Sequence, residues 1–376
     1  MLKKILTFSF LVLTSLSVLS CKKNENVLLI GEYGSLTGGT ATFGQSVHKG
    51  VKMATEEVNQ QGGLLGKQIQ VITEDDQSKP EEAKNAILKL IKQNQVKAII
   101  GEVASSRSLA AAPEAQKAKI PMISPASTNP KVTEVGDYIF RACFVDTFQG
   151  EAMAKFVFEK LGLKKVSILK DIKNDYSVGL ADFFEKTFKQ SGGEIVEIQS
   201  YSEGDIDFRA QLTSIKSKNP EGLYVPGYYT EVGLIARQAK ELGLNIPMMG
   251  GDGWDSAKTL EIGGSAVNGA YFSNHYAVDD PSPVVQQFIQ KFKKQFHEVP
   301  DAMAVLGYDT ARLLYDAIQR AGSEDAGKIK EALASTQNFS GISGQIKMDE
   351  KRNAQKRLVI LKIEDGKIKF ADAVNP

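Results

Sequence analysis

From residue 27 onward the chain alternates short apolar runs with longer stretches in which apolar positions recur every three or four residues. Residues 27–31 form a continuous apolar run of strand length, and a loop rich in Gly, Ser and Thr fills 34–44. In 45–59, Val47, Val51, Ala54 and Val58 fall at helical spacing, and Gly62 with Gly63 stops the helix. A strand at 69–73, a helix at 80–93 with Pro80 in its first turn, and strands at 96–100 and 120–123 continue the series. A second series places helices at 148–161, 177–190, 208–218 and 231–242 around strands at 166–169, 195–201, 223–225 and 246–249. Strands alternating with helices of this length predict parallel βαβ units, here in two α/β lobes. The last hundred residues differ: amphipathic helices at 284–296 and 303–321, a shorter one at 325–335, then strands at 342–348, 358–363 and 367–370. These pieces need a core to pack on, so the chain is predicted to cross back and complete each lobe.

The first 21 residues break the pattern. Lys3 and Lys4 precede an apolar run at 5–18 that is too short for a membrane span, which is the form of an export signal. The end of that run, Val18-Leu19-Ser20-Cys21, resembles a bacterial lipoprotein signal: signal peptide 1–20, lipid-modified Cys21 as the mature N-terminus, and 21–26 as a polar tether. Leu19 is bulky where such signals carry a small residue, so plain secretion stands as the alternative. Cys143 is the only other cysteine; an exported chain without an intramolecular disulfide must rely on its cores, and Cys143 reads as a small buried residue. With 376 residues, 42% of them hydrophobic, the chain has material for two cores. The net charge of +1, from 46 basic against 45 acidic residues, offers no field to draw a nucleic acid, so selectivity must come from a local site.

Candidate chemistry gathers where strands end. The apolar run 96–100 ends at Gly101, and Ser105 and Ser106 then open an Ala-rich helix; the run 120–123 ends in Ser124, Ser127 and Thr128. In an open parallel sheet the ligand crevice lies beyond the carboxyl ends of the strands, and a helix starting there offers free N–H groups to a small anion. Ser105 alone reads equally as a helix cap and the second cluster as a Pro-bounded loop; the pair on consecutive units favours a seat for an anion. In the second series Tyr176, Tyr228 and Asp252 hold matching strand-end positions, Asp252 within Gly250-Gly251-Asp252-Gly253. An acid opposite the hydroxyls suits a zwitterion, although a turn residue explains Asp252 and rim packing explains the tyrosines as well. Enzyme signatures are missing: there is no G-x-S-x-G elbow and no P-loop. His48, His275 and His297 stand apart, without a second metal ligand at a telling spacing, and read as surface or partly buried residues. Asp75 and Asp76 read as solvated or capping, since neighbours on an extended chain point opposite ways. No cofactor and no metal is expected.

Several short motifs occur in the order and spacing of one family: Gly101-Glu102-Val103-Ala104-Ser105-Ser106, Pro125-Ala126-Ser127-Thr128-Asn129-Pro130, Asp175-Tyr176-Ser177-Val178-Gly179, Pro226-Gly227-Tyr228 and Gly251-Asp252-Gly253. They resemble the periplasmic leucine/isoleucine/valine-binding proteins that serve branched-chain amino acid ABC transporters. The similarity runs from about Val27 to the C-terminus and includes Asn59-Gln60-Gln61-Gly62-Gly63 and Tyr308-Asp309-Thr310. The resemblance implies a type I periplasmic binding protein fold, two Rossmann-like lobes joined by three crossover strands near 141–144, 272–274 and 339–343. It divides the chain into an N-terminal lobe, 27–142 plus 274–340, and a C-terminal lobe, 143–273 plus 341–376. It maps a carboxylate seat onto Ser105, Thr128 and the backbone at Ala126, an ammonium acceptor onto Asp252, and flanking aromatics onto Tyr176, Tyr228 and Phe43. It departs from the leucine-binding members in carrying Asp rather than Glu at 252 and Ala104 where they have cysteine, which supports the general α-amino-acid site over any one side chain. The implied protein is no enzyme. It is a monomeric, lipid-anchored, extracytoplasmic lipoprotein that passes an amino acid to ABC permease subunits, with no nucleic-acid partner and no membrane contact beyond the anchor. The competing class is a sensor or receptor for an amide, urea or another small polar ligand.

Overall fold

The structure, a computed structural model, describes residues 26–376; the signal and Cys21 lie outside the described residues. The first lobe opens with β1 (Val27–Gly34), α1 (Ala41–Gln60), β2 (Gln68–Asp75), α2 (Pro80–Lys89), β3 (Ile99–Ile100), α3 (Ser105–Ala118), β4 (Met122–Ser124), α4 (Lys131–Glu134) and β5 (Ile139–Arg141). Its strands form a parallel sheet in the order β2-β1-β3-β4-β5. The second lobe follows with α5 (Asp146–Lys155), β6 (Lys165–Asp171), α6 (Asp175–Gln190), β7 (Glu194–Tyr201), α7 (Arg209–Ser217), β8 (Gly222–Tyr224), α8 (Tyr229–Glu241), β9 (Met248–Gly250), α9 (Ala257–Gly263) and β10 (Tyr271–Asn274). Its parallel strands run β7-β6-β8-β9-β10, the same pattern as the first lobe. In both sheets the order reverses beside the lobe's first strand, and such a switch point opens a crevice at the carboxyl ends of the strands.

The chain then returns. α10 (Pro283–Phe296), α11 (Ala302–Ala321) and α12 (Ala326–Ala334) precede β11 (Phe339–Gly341), β12 (Gly344–Met348) and β13 (Ala354–Gln355), and β14 (Leu358–Glu364) with β15 (Lys367–Val374) ends the chain. α11 belongs to the first lobe because small residues let it lie directly on α1. A Cβ at Gly50 would stand 2.1 Å from the Ala304 carbonyl oxygen, and one at Gly307 would stand 2.4 Å from that of Val47. The apolar stripe of α1 (Phe43, Val47, Val51, Ala54, Val58) is buried, and the Thr55 and Tyr315 hydroxyls meet at 2.6 Å between the two helices. β14 and β15 add antiparallel to β10 and extend the second sheet to seven strands.

Some elements differ from the sequence expectation. β5 and α9 were not anticipated, because a three-residue buried strand and a seven-residue helix are too short to show a period. The last crossing falls at 356–357 rather than 339–343: β11, β12 and β13 form a small antiparallel sheet of their own, bonded to the first lobe rather than to β14. Arg352 anchors it, donating to the carbonyls of Thr133 (2.8 Å) and Ile139 (3.2 Å) while its own carbonyl accepts from Arg141 N–H at 3.2 Å. Residues 341–355 therefore pack with the first lobe, not with the second as the 340/341 division expects. The other crossings pass through 142–145 and 275–276.

Candidate functional site

The expected residues occupy equivalent places in the two lobes. In the first lobe Phe43 follows β1, Ala104 and Ser105 follow β3, and Ala126 and Thr128 follow β4; in the second Tyr176 follows β6, Tyr228 follows β8 and Asp252 follows β9. These are the first, third and fourth strands of each lobe in chain order, so the two switch points face one another with one set of side chains each. All eight residues are buried.

On the first wall, Ser105 is the first residue of α3 and does not cap it; the cap position is Ala104, with no side-chain bond. The Ser105 hydroxyl accepts from Asn129 N–H at 3.2 Å. The N–H groups of Arg107 and Ser108 bond to the Ala104 carbonyl and that of Ala104 to Glu102, so those of Ser105 and Ser106 are the ones that offer partial positive charge to an anion. Of the β4 hydroxyls only Thr128 is free for a ligand. Ser124 donates to the Glu102 carbonyl at 2.6 Å and accepts from Ser127 N–H at 2.8 Å, and Ser127 is bound to Ser108 at 2.7 Å, so both hold loops together. Thr128 Oγ1 is buried, makes no hydrogen bond of full geometry in the protein, and lies beside the Asp146 carboxyl. Its backbone is fixed by Arg141, a fully buried guanidinium that donates to the carbonyls of Ser127 (2.6 Å) and Asn129 (2.7 Å) on either side.

On the second wall, Tyr176 and Tyr228 stack 5.3 Å apart at 10°, and Phe43 reaches across from the first lobe to set its edge against Tyr228, centroids 5.5 Å apart. The Tyr176 hydroxyl accepts from Gly253 N–H at 3.2 Å, which fixes the turn bearing Asp252. Asp252 Oδ2 lies 3.1 Å from His275 Nε2, and Oδ1 is buried without a partner. Sequence reasoning missed three neighbours: Asp146 Oδ2, Gln149 Oε1 and the Tyr224 hydroxyl are likewise buried and unpaired. Burial and the nearby Asp252 carboxylate push the Asp146 carboxyl well above its usual range. Asp146 opens α5 just past the first crossing and its N–H donates to the Thr128 carbonyl at 2.9 Å, so it faces the seat from a position that is no strand end. Hydrogen bonds thus run from Ser105 to Asn129 and on to Asp175, and from Asp146 to Thr128, while Tyr176 holds the turn of Asp252, whose carboxylate acts on Asp146 through space. Unpaired buried acceptors cost about 1 to 3 kcal/mol each, and a cation is the group that satisfies several together.

The lobes also touch directly. The Ser106 hydroxyl and Asp175 exchange two bonds of 2.9 Å, Asn129 Nδ2 donates to the Asp175 carbonyl at 2.7 Å, and Arg107 meets Glu203 at 2.9 Å. On the far side of Phe43 the Thr42 and Ser256 hydroxyls lie 3.1 Å apart. Behind the start of α3 the Ser35 hydroxyl lies 2.8 Å from Asp76 Oδ1 and 3.0 Å from Glu102 Oε1. Burial first, then Asp76, pushes the Glu102 carboxyl up to about 8. One hydroxyl hydrogen cannot serve two carboxylates, so this pair keeps a proton at neutral pH and sets less negative charge there than two ionised acids would. Asp76 is thus buried rather than solvated, whereas Asp75 does cap the turn, accepting from Leu36 and Gln77 N–H. His275 is likewise fully buried. No group of three or more His, Cys, Asp or Glu side chains able to hold a metal occurs among the described residues.

A clamp of two like-wound lobes whose switch points converge on a buried polar seat defines a ligand-binding protein of the bilobal type. The chain belongs to the periplasmic binding protein family, whose model matches residues 29–367, and within it to the leucine/isoleucine/valine-binding proteins. It is 30% identical over 346 residues to Leu/Ile/Val-binding protein homolog 3 of Brucella melitensis, covering 91% of this chain and 92% of that protein. A leucine-binding protein of Thermotoga maritima superimposes with a TM-score of 0.90 at 42% identity, covering 93% of this chain and 99% of that one. A branched-chain amino acid substrate-binding protein of Streptococcus pneumoniae, solved with isoleucine, superimposes with a TM-score of 0.88 at 34% identity, covering 93% and 100%. The type I periplasmic binding protein fold expected from the sequence is the fold found, and the family is one of solute-binding proteins of transporters.

Proposed function

We propose that the protein captures an α-amino acid with an apolar side chain, branched-chain types foremost, between its two lobes and delivers it to an ABC permease. The observation that carries this reading is the pair of buried carboxylate oxygens without hydrogen-bond partners, Asp146 Oδ2 and Asp252 Oδ1, near the Thr128 hydroxyl and the start of α3. The ammonium takes the acids and the carboxylate takes Ser105, the Ala126 backbone and Thr128. Phe43, Ala104, Tyr176 and Tyr228 supply apolar surface for the side chain, whose full burial is worth about 1.5 to 3 kcal/mol. Closing of the lobes fits the hinge class of binding motions. A thermal-shift series tests the reading, because a ligand present at about 100 times its Kd stabilises the folded state by about 2.7 kcal/mol. Leucine, isoleucine and valine are expected to raise the melting temperature, and benzoate, urea and short amides to leave it unchanged. An amide or aromatic acid that stabilises while leucine does not would overturn the reading in favour of a sensor-type or aromatic-acid binder.

The protein is further proposed to act outside the cytoplasm, held to the membrane by lipid on Cys21. No helix among the described residues is long and apolar enough to cross a membrane. One acyl chain holds marginally and two or more hold firmly. Cys21→Ser is expected to move the protein from the membrane to the soluble fraction. Intact-mass measurement of a mature chain that starts elsewhere, or carries no lipid, refutes the anchor.

A further inference from the structure

Asp252 is held from behind by the hinge. His275, on the second crossing segment, places Nε2 3.1 Å from Asp252 Oδ2, with both side chains buried. A carboxylate can only accept, so Nε2 carries the hydrogen and donates. Burial lowers the imidazole to about 4, so the ring is neutral at physiological pH, and its Nδ1 is unpaired in the protein. The ring is also stacked on Phe144 of the first crossing, centroids 3.9 Å apart at 18°. The neighbouring Asn274 accepts from His275 N–H at 2.8 Å and donates to Asp255 Oδ2 at 3.0 Å, and Asp255 accepts from Ala302 N–H of α11 at 2.6 Å. The start of the Asp252–Trp254 turn is therefore tied to the crossing segment, and Asp255 just past its end to Asn274 beside that segment and to α11 of the first lobe.

We propose that His275 is a positioning residue: by holding Asp252 Oδ2 it aims Oδ1 at the ligand's ammonium and couples that seat to the hinge. The proposal rests on the amino-acid reading of the site. Rotation of one lobe about 275–276 displaces Nε2, and a ligand that fixes Asp252 resists that rotation. A ligand without an ammonium makes no use of Oδ1, so it is blind to His275.

The experiment is calorimetry on the full chain with leucine and with 4-methylpentanoate, which is leucine without its ammonium. The variants are His275→Phe, which keeps a flat ring over Phe144 but donates nothing, and His275→Gln, whose amide N–H replaces the donor. A hydrogen bond to a charged group is worth about tenfold or more in affinity. His275→Phe is expected to weaken leucine roughly tenfold and 4-methylpentanoate less than twofold, and His275→Gln to restore most of the leucine affinity. Equal loss for both ligands, or no loss of leucine in His275→Phe, overturns the positioning role while leaving the amino-acid reading intact. Wild-type protein that ignores leucine overturns both. If His275→Phe does not fold, Gln against wild type decides: a leucine-specific loss above tenfold in a folded Gln variant contradicts the proposal, since the donor is present.

Discussion

Asp252→Ala is expected to weaken amino-acid binding by roughly thirtyfold or more, with leucine, isoleucine and valine losing by similar factors. The substitution removes one buried partner of a charge pair and leaves the ligand's ammonium facing Asp146, whose carboxyl is pushed toward its neutral form by burial. Truncating one member of a buried pair costs about 2 to 5 kcal/mol, and each 1.4 kcal/mol is a factor of ten. The loss is common to all side chains because every α-amino acid brings the same ammonium. Phe43→Ala provides the contrast: it removes apolar surface beside Tyr228 and reorders the ligands instead of lowering all of them together. Calorimetric affinities for leucine and valine within about threefold of wild type in Asp252→Ala would remove the zwitterion seat from the argument.

The other large effect is on stability. Trp254 ends the turn that Asp252 begins, and it is fully buried. Its indole N–H donates to the Val225 carbonyl at 2.9 Å, and its ring lies over Phe272 with centroids 6.0 Å apart. The fit is close: a Cβ at Gly250 would stand 2.2 Å from the indole, so the strand passes there only as glycine. Trp254→Ala is expected to cost about 3 to 5 kcal/mol, the range for an aromatic removed from a core. The Val225 carbonyl keeps its bond from Gly227 N–H at 2.9 Å, so the cost is chiefly that of the lost packing. Urea unfolding reads the difference from the midpoint at constant slope, and a loss below about 1 kcal/mol refutes this account of the packing. Trp254→Phe keeps most of the ring and loses the donor, so it falls between.

How much of this was legible in the sequence depends on the physics that wrote each feature. The strands and long helices were legible because one-sided burial imposes a period, as the Val47, Val51, Ala54, Val58 stripe shows. The strand-end placement of Ser105, Thr128, Tyr228 and Asp252 was legible because their chemistry differs from a core's and each follows an apolar run. Depth leaves no such mark. Asp76 looks like any acid beyond a strand, yet the second layer around Ser35 and Glu102 buries it. Asp146, Gln149 and His275 lie at or just past crossings, where no period is running and no strand end points to them. Residues 341–355 pack with the first lobe through Arg352, whose partners Thr133 and Ile139 lie 219 and 213 positions earlier, a separation that no local period reports.

That separation governs the order in which the molecule can be made. Thr55 and Tyr315, which meet across α1 and α11, are 260 residues apart, and Lys362 of β14 completes the sheet beside Tyr271. At a ribosomal pace of about 5 to 20 residues per second, the apolar stripe of α1 is made tens of seconds before the helix that covers it. Neither lobe has its full set of elements until the chain has passed residue 354. Each lobe therefore closes on elements that arrive long after its first strands, and the stripe of α1 stays uncovered until α11 has been made.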